Sequence, residues 1–337
     1  MKDGVSVIIC CYNSEERIPA VLEHLDQQKN TGAFTWEVIV VDNASTDNTA
    51  SVAKKSWVRE DVALRVVNET VPGLIHARIK GLSEAKYKVI VFVDDDNLLS
   101  DTYISLAHQI MLDHPEVGLA GGLGIPVSTV PLPSWFEGYQ SAYAVGKQAD
   151  EEGYVPKSRT YLHGAGIVMR KEAWDFLMEQ GFTFHLGGRT GKSLGSGEDS
   201  EISYAFRLAG YQLWYAPQLT FQHVIDKNRL KWSYLKRLIK AFGRSRVVLE
   251  PYHVHLNYEP GLKRSIRSSW CFGTFSGLIE LLKKTPGYVQ VKLLGKSGHR
   301  YETRFIFRLG LVQQWFAMFG RYAKIRKNLV LIDTQRT

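Results

Sequence analysis

Four Val- and Ile-rich runs recur in the first hundred residues, at 5–10, 38–41, 64–67 and 89–93, with polar, helix-compatible stretches such as 15–28 and 47–55 between them. Each run is strand-length and almost continuously apolar. A strand with one wet face would alternate, so these strands need cover on both faces, as when helices flank a parallel sheet on either side. Strand and helix in alternation therefore predict an α/β fold built of βαβ units.

Farther along the rhythm changes. After Gly121 and Gly122 the pattern loosens into Pro126, Pro131 and Pro133 among Trp135, Phe136, Tyr139 and Tyr143, which reads as a surface-shaping segment rather than another repeat. A strand is expected at 166–169, a helix at 171–180, a mobile glycine-rich loop at 187–197, a helix at 200–209 stopped by Gly210, and a last strand at 211–216. From about residue 226 the chain reads as mainly helical, without internal repeats.

The 337 residues, 45% of them apolar, suffice for one large domain or a domain with an appendage. Cys10, Cys11 and Cys271 form no disulfide framework, because neighbours on a strand point to opposite faces. No signal peptide is expected at the start of the chain, and the most apolar late segment, 268–282, contains Gly273, Gly277 and Glu280 and is too short to span a bilayer. Together these features predict a cytoplasmic protein.

Net charge is +8 but unevenly placed. Residues 1–223 carry 19 Lys and Arg against 28 Asp and Glu, whereas residues 224–337 carry 23 against 6. A basic, aromatic tail fits either a solvated helical bundle or peripheral contact with an anionic membrane; nucleic acid is not favoured as a partner.

Three carboxylates, Asp94, Asp95 and Asp96, directly follow the run at 89–93, so a buried strand delivers them to the edge of the sheet. Ligands of open α/β sheets collect at that edge, and clustered hard oxygens suit Mg²⁺ or Mn²⁺ with a diphosphate. Such a cluster also occurs as a helix cap or a solvated face.

Further features stand in order around it: Cys11-Tyr12-Asn13 after the first strand, Asp42-Asn43 after the second, Gly73 through Arg78 and Gly81, and Glu198-Asp199 at the start of a helix. Together they resemble the family 2 glycosyltransferases, inverting enzymes of the GT-A fold, over residues 5 to about 230. The resemblance implies a Rossmann-like mixed sheet flanked by helices, with a mainly helical basic C-terminal extension. Residues 1–225 would form the catalytic domain, with a donor-binding half (1–122) and an acceptor and catalytic half (123–225), and 226–337 the extension.

Site roles follow residue by residue. The resemblance gives donor binding to Cys11, Tyr12, Asn13, Asp42, Asn43, Arg78, Asp94 and Asp95, and a divalent cation to Asp96 and His223. It makes Asp199 the base, with Glu198 beside it. Gly164 and Ala165 belong to a loop that admits the donor sugar. The chemistry is consistent: a Tyr12 ring can stack on a base, Asp42 can accept an imide N–H, and the planar fork of Arg78 suits carbonyl or phosphate oxygens. A sugar hydroxyl needs a carboxylate to take its proton, and a helix start favours the ionised form of Asp199. Packing for Tyr12, helix capping for Asp42 and a surface ion pair for Arg78 remain open alternatives. Lys227 and Arg229 are candidates for diphosphate oxygens, with a surface role equally open.

One departure matters. Processive members carry Gln-x-x-Arg-Trp after the acid pair, which the segment from Asp226 to Trp232 lacks. The expected activity is thus addition of one sugar from a nucleotide sugar, a UDP-sugar foremost, to a glycan or lipid-linked glycan acceptor in cell-surface polysaccharide assembly, at the inner membrane face. The aromatic segment at 126–143 is where acceptor contacts are expected. A sugar-phosphate nucleotidyltransferase is the rival enzyme, although residues 10–17 lack its glycine-rich loop. A non-catalytic sugar-nucleotide or glycan-binding protein is the rival outside catalysis.

Overall fold

In the computed structural model, which describes residues 1–29, 31–188, 195, 197–295 and 300–333, the four apolar runs lie side by side. β1 (Lys2–Cys11) pairs in parallel with β2 (Trp36–Asn43) and β4 (Tyr87–Asp94), and β2 with β3 (Ala63–Glu69). Burial follows the two-residue period. Val7, Ile9, Val38, Val40, Val91 and Val93 face one apolar cluster, and Ile8, Ile39, Val41, Ile90 and Phe92 face the other. The first cluster is closed by α1 (Ile18–Asp26), α2 (Thr49–Ser56) and α4 (Tyr103–Asp113). The second is closed by α3 (Leu74–Glu84), α5 (Lys171–Glu179) and α6 (Glu198–Leu208).

Beyond β4 the sheet becomes mixed, continuing through β8 (Val168–Arg170), β6 (Val117–Val127), β9 (Gln212–Val224) and β5 (Asn97–Leu99) in the order β3-β2-β1-β4-β8-β6-β9-β5. β8 is antiparallel to β4 and to β6, and β6 is parallel to β9. Two short strands, β5 and β7 (Gly153–Tyr154), pair antiparallel with β9.

Three of the boundaries that differ from the sequence reading have a local reason. Gly121 and Gly122, where the pattern loosens, lie inside β6, because the backbone of β9 passes so close that a Cβ on Gly122 would sit 1.9 Å from the Leu219 carbonyl oxygen. β9 runs eight residues past the expected end at 216, its register skipping between Tyr215 and Thr220 so that Pro217, which has no N–H to donate, falls in the bulge. β8 starts at Val168 rather than at residue 166, since Gly166 has φ +66° and accepts a hydrogen bond from Tyr103 on its carbonyl. Most of the expected mobile loop at 187–197 lies outside the described residues.

The later chain is helical: α7 (Trp232–Asn257), α8 (Leu262–Arg267), α9 (Trp270–Leu293), α10 (Arg300–Ala317) and α11 (Tyr322–Asp333). Val247, Val248 and Tyr252 of α7, and Leu311 and Trp315 of α10, join the same apolar cluster as Ile39 and Phe92 of the sheet. Among the described residues no helix is long and apolar enough to cross a membrane.

Candidate active site

A cavity of about 1230 Å³ opens at the C-terminal ends of β1 and β4, where Cys11, Tyr12 and Asp94 through Asp96 line it. Its opposite wall carries Gly164, Ala165, Glu198 and Asp199, and the far side is closed by α7 and by Phe307 of α10. Asn43, Arg78, His223 and Arg229 also reach it, whereas Asn13, Asp42 and Lys227 are not among the lining residues. Asp42 accepts from the Ser45 amide and Asn13 from the Thr46 amide, so both fix the turn behind Tyr12. Lys227 is exposed.

The carboxylates after β4 meet guanidinium groups. Asp95 Oδ2 accepts from Arg17 Nη2 at 2.6 Å and from the Ser14 hydroxyl, and burial raises its pKa against these contacts. Asp96 Oδ2 accepts from Arg229 Nη1 at 2.9 Å. Its other oxygen lies 3.4 Å from His223 Nε2. β5 creates this proximity: Asn97 pairs with His223 in the sheet, and the Val224 amide donates to the Asp96 carbonyl at 2.9 Å.

A hard oxygen and an imidazole nitrogen 3.4 Å apart form a donor pair of the kind that suits Mg²⁺ or Mn²⁺. Among the described residues no group of three or more His, Cys, Asp or Glu side chains is arranged to enclose a metal. The pair fits an ion that completes its shell with substrate phosphates and water, as Mg²⁺ sites at nucleotides do.

Asp199 is held by backbone instead. It stands in the first turn of α6, after Gly197 with φ +103°, and its Oδ2 accepts from the Gly164 amide at 3.0 Å and its Oδ1 from the Ser200 amide at 2.7 Å. The glycine is required by space: a Cβ on Gly164 would lie 2.9 Å from Arg78 Nη2 and 3.0 Å from Asp199 Cβ. Thus the Gly164 backbone closes on the Asp199 carboxylate and on Arg78. Arg78 is itself buried, which works against its charge, while Glu198, Asp94 and Asp199 raise its pKa beyond the usual value. A buried guanidinium thereby ties the two acidic clusters together.

Asn43 lines the cavity, yet its amide is committed to backbone: Oδ1 accepts from Gly73 N at 2.7 Å, and Nδ2 donates to the Glu69 and Val71 carbonyls. It fixes the turn that launches α3 and hence Arg78. Burial pushes the Cys10 thiol up to about 12 and that of Cys11 upward as well, so neither supplies a thiolate. Tyr12 is half exposed at the cavity mouth.

Several lining groups had no clear sequence signal. Arg17 lies one turn beyond the Tyr12 loop, and Arg237 and Arg246 reach in from α7, which the resemblance does not cover. His163 hydrogen-bonds Ser141 through Nε2 at 3.1 Å, and burial, reinforced by Arg159 and His223, pulls its pKa down to about 3. Its place directly before Gly164 in a His-Gly-Ala-Gly sequence was the available clue. The aromatic segment at 126–143 includes a 3₁₀ turn (Phe136–Tyr143) that supplies Tyr139, Ser141 and Tyr143 to the wall.

The sequence profile of glycosyl transferase family 2 matches residues 6–176. Glycosyltransferase GlyG of Streptococcus pneumoniae serotype 4 (strain TIGR4) is 29% identical over 110 residues, 32% of this chain and 35% of that protein. TarS, a poly(ribitol-phosphate) beta-N-acetylglucosaminyltransferase of Staphylococcus aureus (strain Mu50), is 33% identical over 129 residues, 36% of this chain and 22% of that protein. The similarity thus spans only about a third or less of these relatives' length. Among solved structures, mannosyltransferase PcManGT from Pyrobaculum calidifontis, in complex with GDP-Man and Mn²⁺, superposes with a TM-score of 0.55 at 18% identity, covering 98% of this chain and 86% of that one. TarS 1–349 in complex with UDP-GlcNAc gives 0.54 at 16% identity, covering 98% and 90%. Those likenesses establish the GT-A fold, and the profile match over half of the sequence establishes the family: this chain belongs to glycosyl transferase family 2.

Proposed function

We propose that the protein is an inverting glycosyltransferase that moves one sugar from a nucleotide sugar to an acceptor hydroxyl. The observation that carries this reading is convergence: Asp94–Asp96 from the end of β4 and Asp199 from the start of α6 line one cavity, with Arg78 between them. Tyr12 offers a ring face to the base at the mouth. Asp96 and His223 would hold Mg²⁺ or Mn²⁺, which when bound neutralises charge on the departing diphosphate. Arg229, which pairs with Asp96 in the ion-free site, would turn to the diphosphate once the ion takes that carboxylate.

Asp199 accepts the acceptor's proton while the hydroxyl attacks the anomeric carbon from the face opposite the diphosphate, so that a single displacement inverts the centre. The amides of Gly164 and Ser200 orient its oxygens for that task. A UDP-sugar is the favoured donor, supported by the TarS relative and its UDP-GlcNAc complex. The acceptor is a glycan or lipid-linked glycan of cell-surface polysaccharide assembly, with the aromatic 3₁₀ segment shaping its approach. Residues 1–225 form the catalytic part, and 226–337 a basic extension that lends Arg229 and the α7 wall to the cavity. Three free cysteines accord with a cytoplasmic site of action.

The test is nucleoside diphosphate release from a panel of UDP-, GDP- and dTDP-sugars, with and without Mn²⁺. Acceptor-stimulated release from one donor class is expected. No release from any donor, with native-like folding confirmed, would refute the transferase reading.

A further inference from the structure

Helix α9 is apolar on two faces, and among the described residues only one of them is covered. Its inner face packs on α10 through glycines: a Cβ on Gly273 would fall 2.1 Å from the Trp315 ring, and one on Gly277 would fall 2.9 Å from Leu311. The outer face carries Phe272, Phe275, Ile279, Leu282, Val289 and Leu293 at steps compatible with one stripe, and all are exposed, Phe275 to 69%, Leu282 to 68% and Leu293 to 83%. At 1.5 Å per residue this stripe is roughly 30 Å long. Phe319, 73% exposed, extends it beside Trp270, whose ring centroid lies 5.0 Å away. Among the described residues no comparable exposed stripe lies on the helices that flank the sheet.

Cations border the stripe. Arg267 of α8 lies at its start, its guanidinium over the Phe272 ring at 5.8 Å and over the Tyr258 ring at 4.9 Å, where Lys263 of the same helix also stands at 5.6 Å, and the whole stretch 224–337 carries 23 basic against 6 acidic side chains. A second copy of the chain pairing through this face would bring two strongly basic surfaces together, which costs energy at close range. An anionic bilayer satisfies both features: acyl chains take up the stripe and phosphate headgroups meet the cations. We propose that α9 docks in the plane of an anionic lipid surface, with its outer stripe at the acyl boundary and α8 at headgroup level.

Because α10 lies between α9 and the cavity and contributes Phe307 to the cavity wall, docking would hold the cavity close to the membrane. The docking surface goes beyond the transfer reading and is tested without substrate. The full chain is sedimented with vesicles of phosphatidylglycerol and phosphatidylcholine, and with vesicles of phosphatidylcholine alone. Binding is expected to the anionic vesicles only. The triple change Phe275→Ser, Leu282→Ser and Leu293→Ser, at exposed positions and checked by an unchanged melting midpoint, should weaken it on the order of tenfold or more. The pair Lys263→Ser and Arg267→Ser should reduce the anionic preference. Equal binding by native and triple-variant chains would overturn the proposal, as would no vesicle binding at all. A stable dimer in light scattering that the triple change makes monomeric would assign the face to a second copy and overturn it too.

Discussion

At the end of β4 the carboxylates meet guanidinium groups, whereas at the start of α6 Asp199 meets backbone amides. Arg17 bonds Asp95 and Arg229 bonds Asp96, while Gly164 N and Ser200 N fix the two oxygens of Asp199. The difference separates two tasks. A cluster balanced by side-chain cations can exchange them for a metal ion, so its charge balance is adjustable. A carboxylate aimed by the backbone keeps its direction whatever binds opposite, which is what proton acceptance from a positioned hydroxyl needs.

Changes at the two sites should therefore have unlike effects. The largest is expected at α6: Asp199→Asn lowers the rate of transfer by about 10²–10⁴-fold, measured as product formed at saturating donor. Gly164→Ala comes next, since the added methyl displaces Asp199 or Arg78, and a misplacement of about 1 Å costs on the order of 100-fold in turnover. Its signature would be lost turnover with the nucleotide still bound.

Smaller effects are expected at the β4 end. Arg229→Ala removes a cation from Asp96 and His223, so Mn²⁺ binding without nucleotide, followed by electron paramagnetic resonance, should tighten by about threefold to tenfold. Weaker Mn²⁺ binding in this variant would mean that Arg229 supports the ion rather than competes with it.

The last effect concerns stability against pH rather than the reaction. His163, buried with a pKa of about 3, stays neutral in the folded protein, while its unfolded pKa is about 6.5. The unfolded chain thus binds more protons as pH falls below 6.5, and the stability contributed by the neutral form is lost progressively down to about pH 3. The melting midpoint should drop between pH 7 and 5, and His163→Asn should flatten that drop.

The sequence made the first half of the cavity legible because its strands are buried on both faces and end in carboxylates; position along the chain and position in space coincide there. Asp94–Asp96 and Glu198-Asp199 could be placed at a strand end and a helix start from local pattern alone. Other features depend on partners distant in sequence. Gly121 and Gly122 resemble a break until β9 is beside them, and Asn97–Leu99 forms a strand only through His223 and Phe221. Arg237 and Arg246 reach the cavity because α7 packs on α6, a contact carried by tertiary burial of Val247, Val248 and Tyr252 rather than by any motif.

Calorimetric titration of UDP with Mn²⁺ into the native chain, Asp96→Ala and Asp199→Asn tests the division of labour most directly. Native-like affinity in Asp199→Asn and loss of the Mn²⁺-dependent binding in Asp96→Ala is the predicted result. Equal loss in both variants, or no loss in Asp96→Ala, would contradict it.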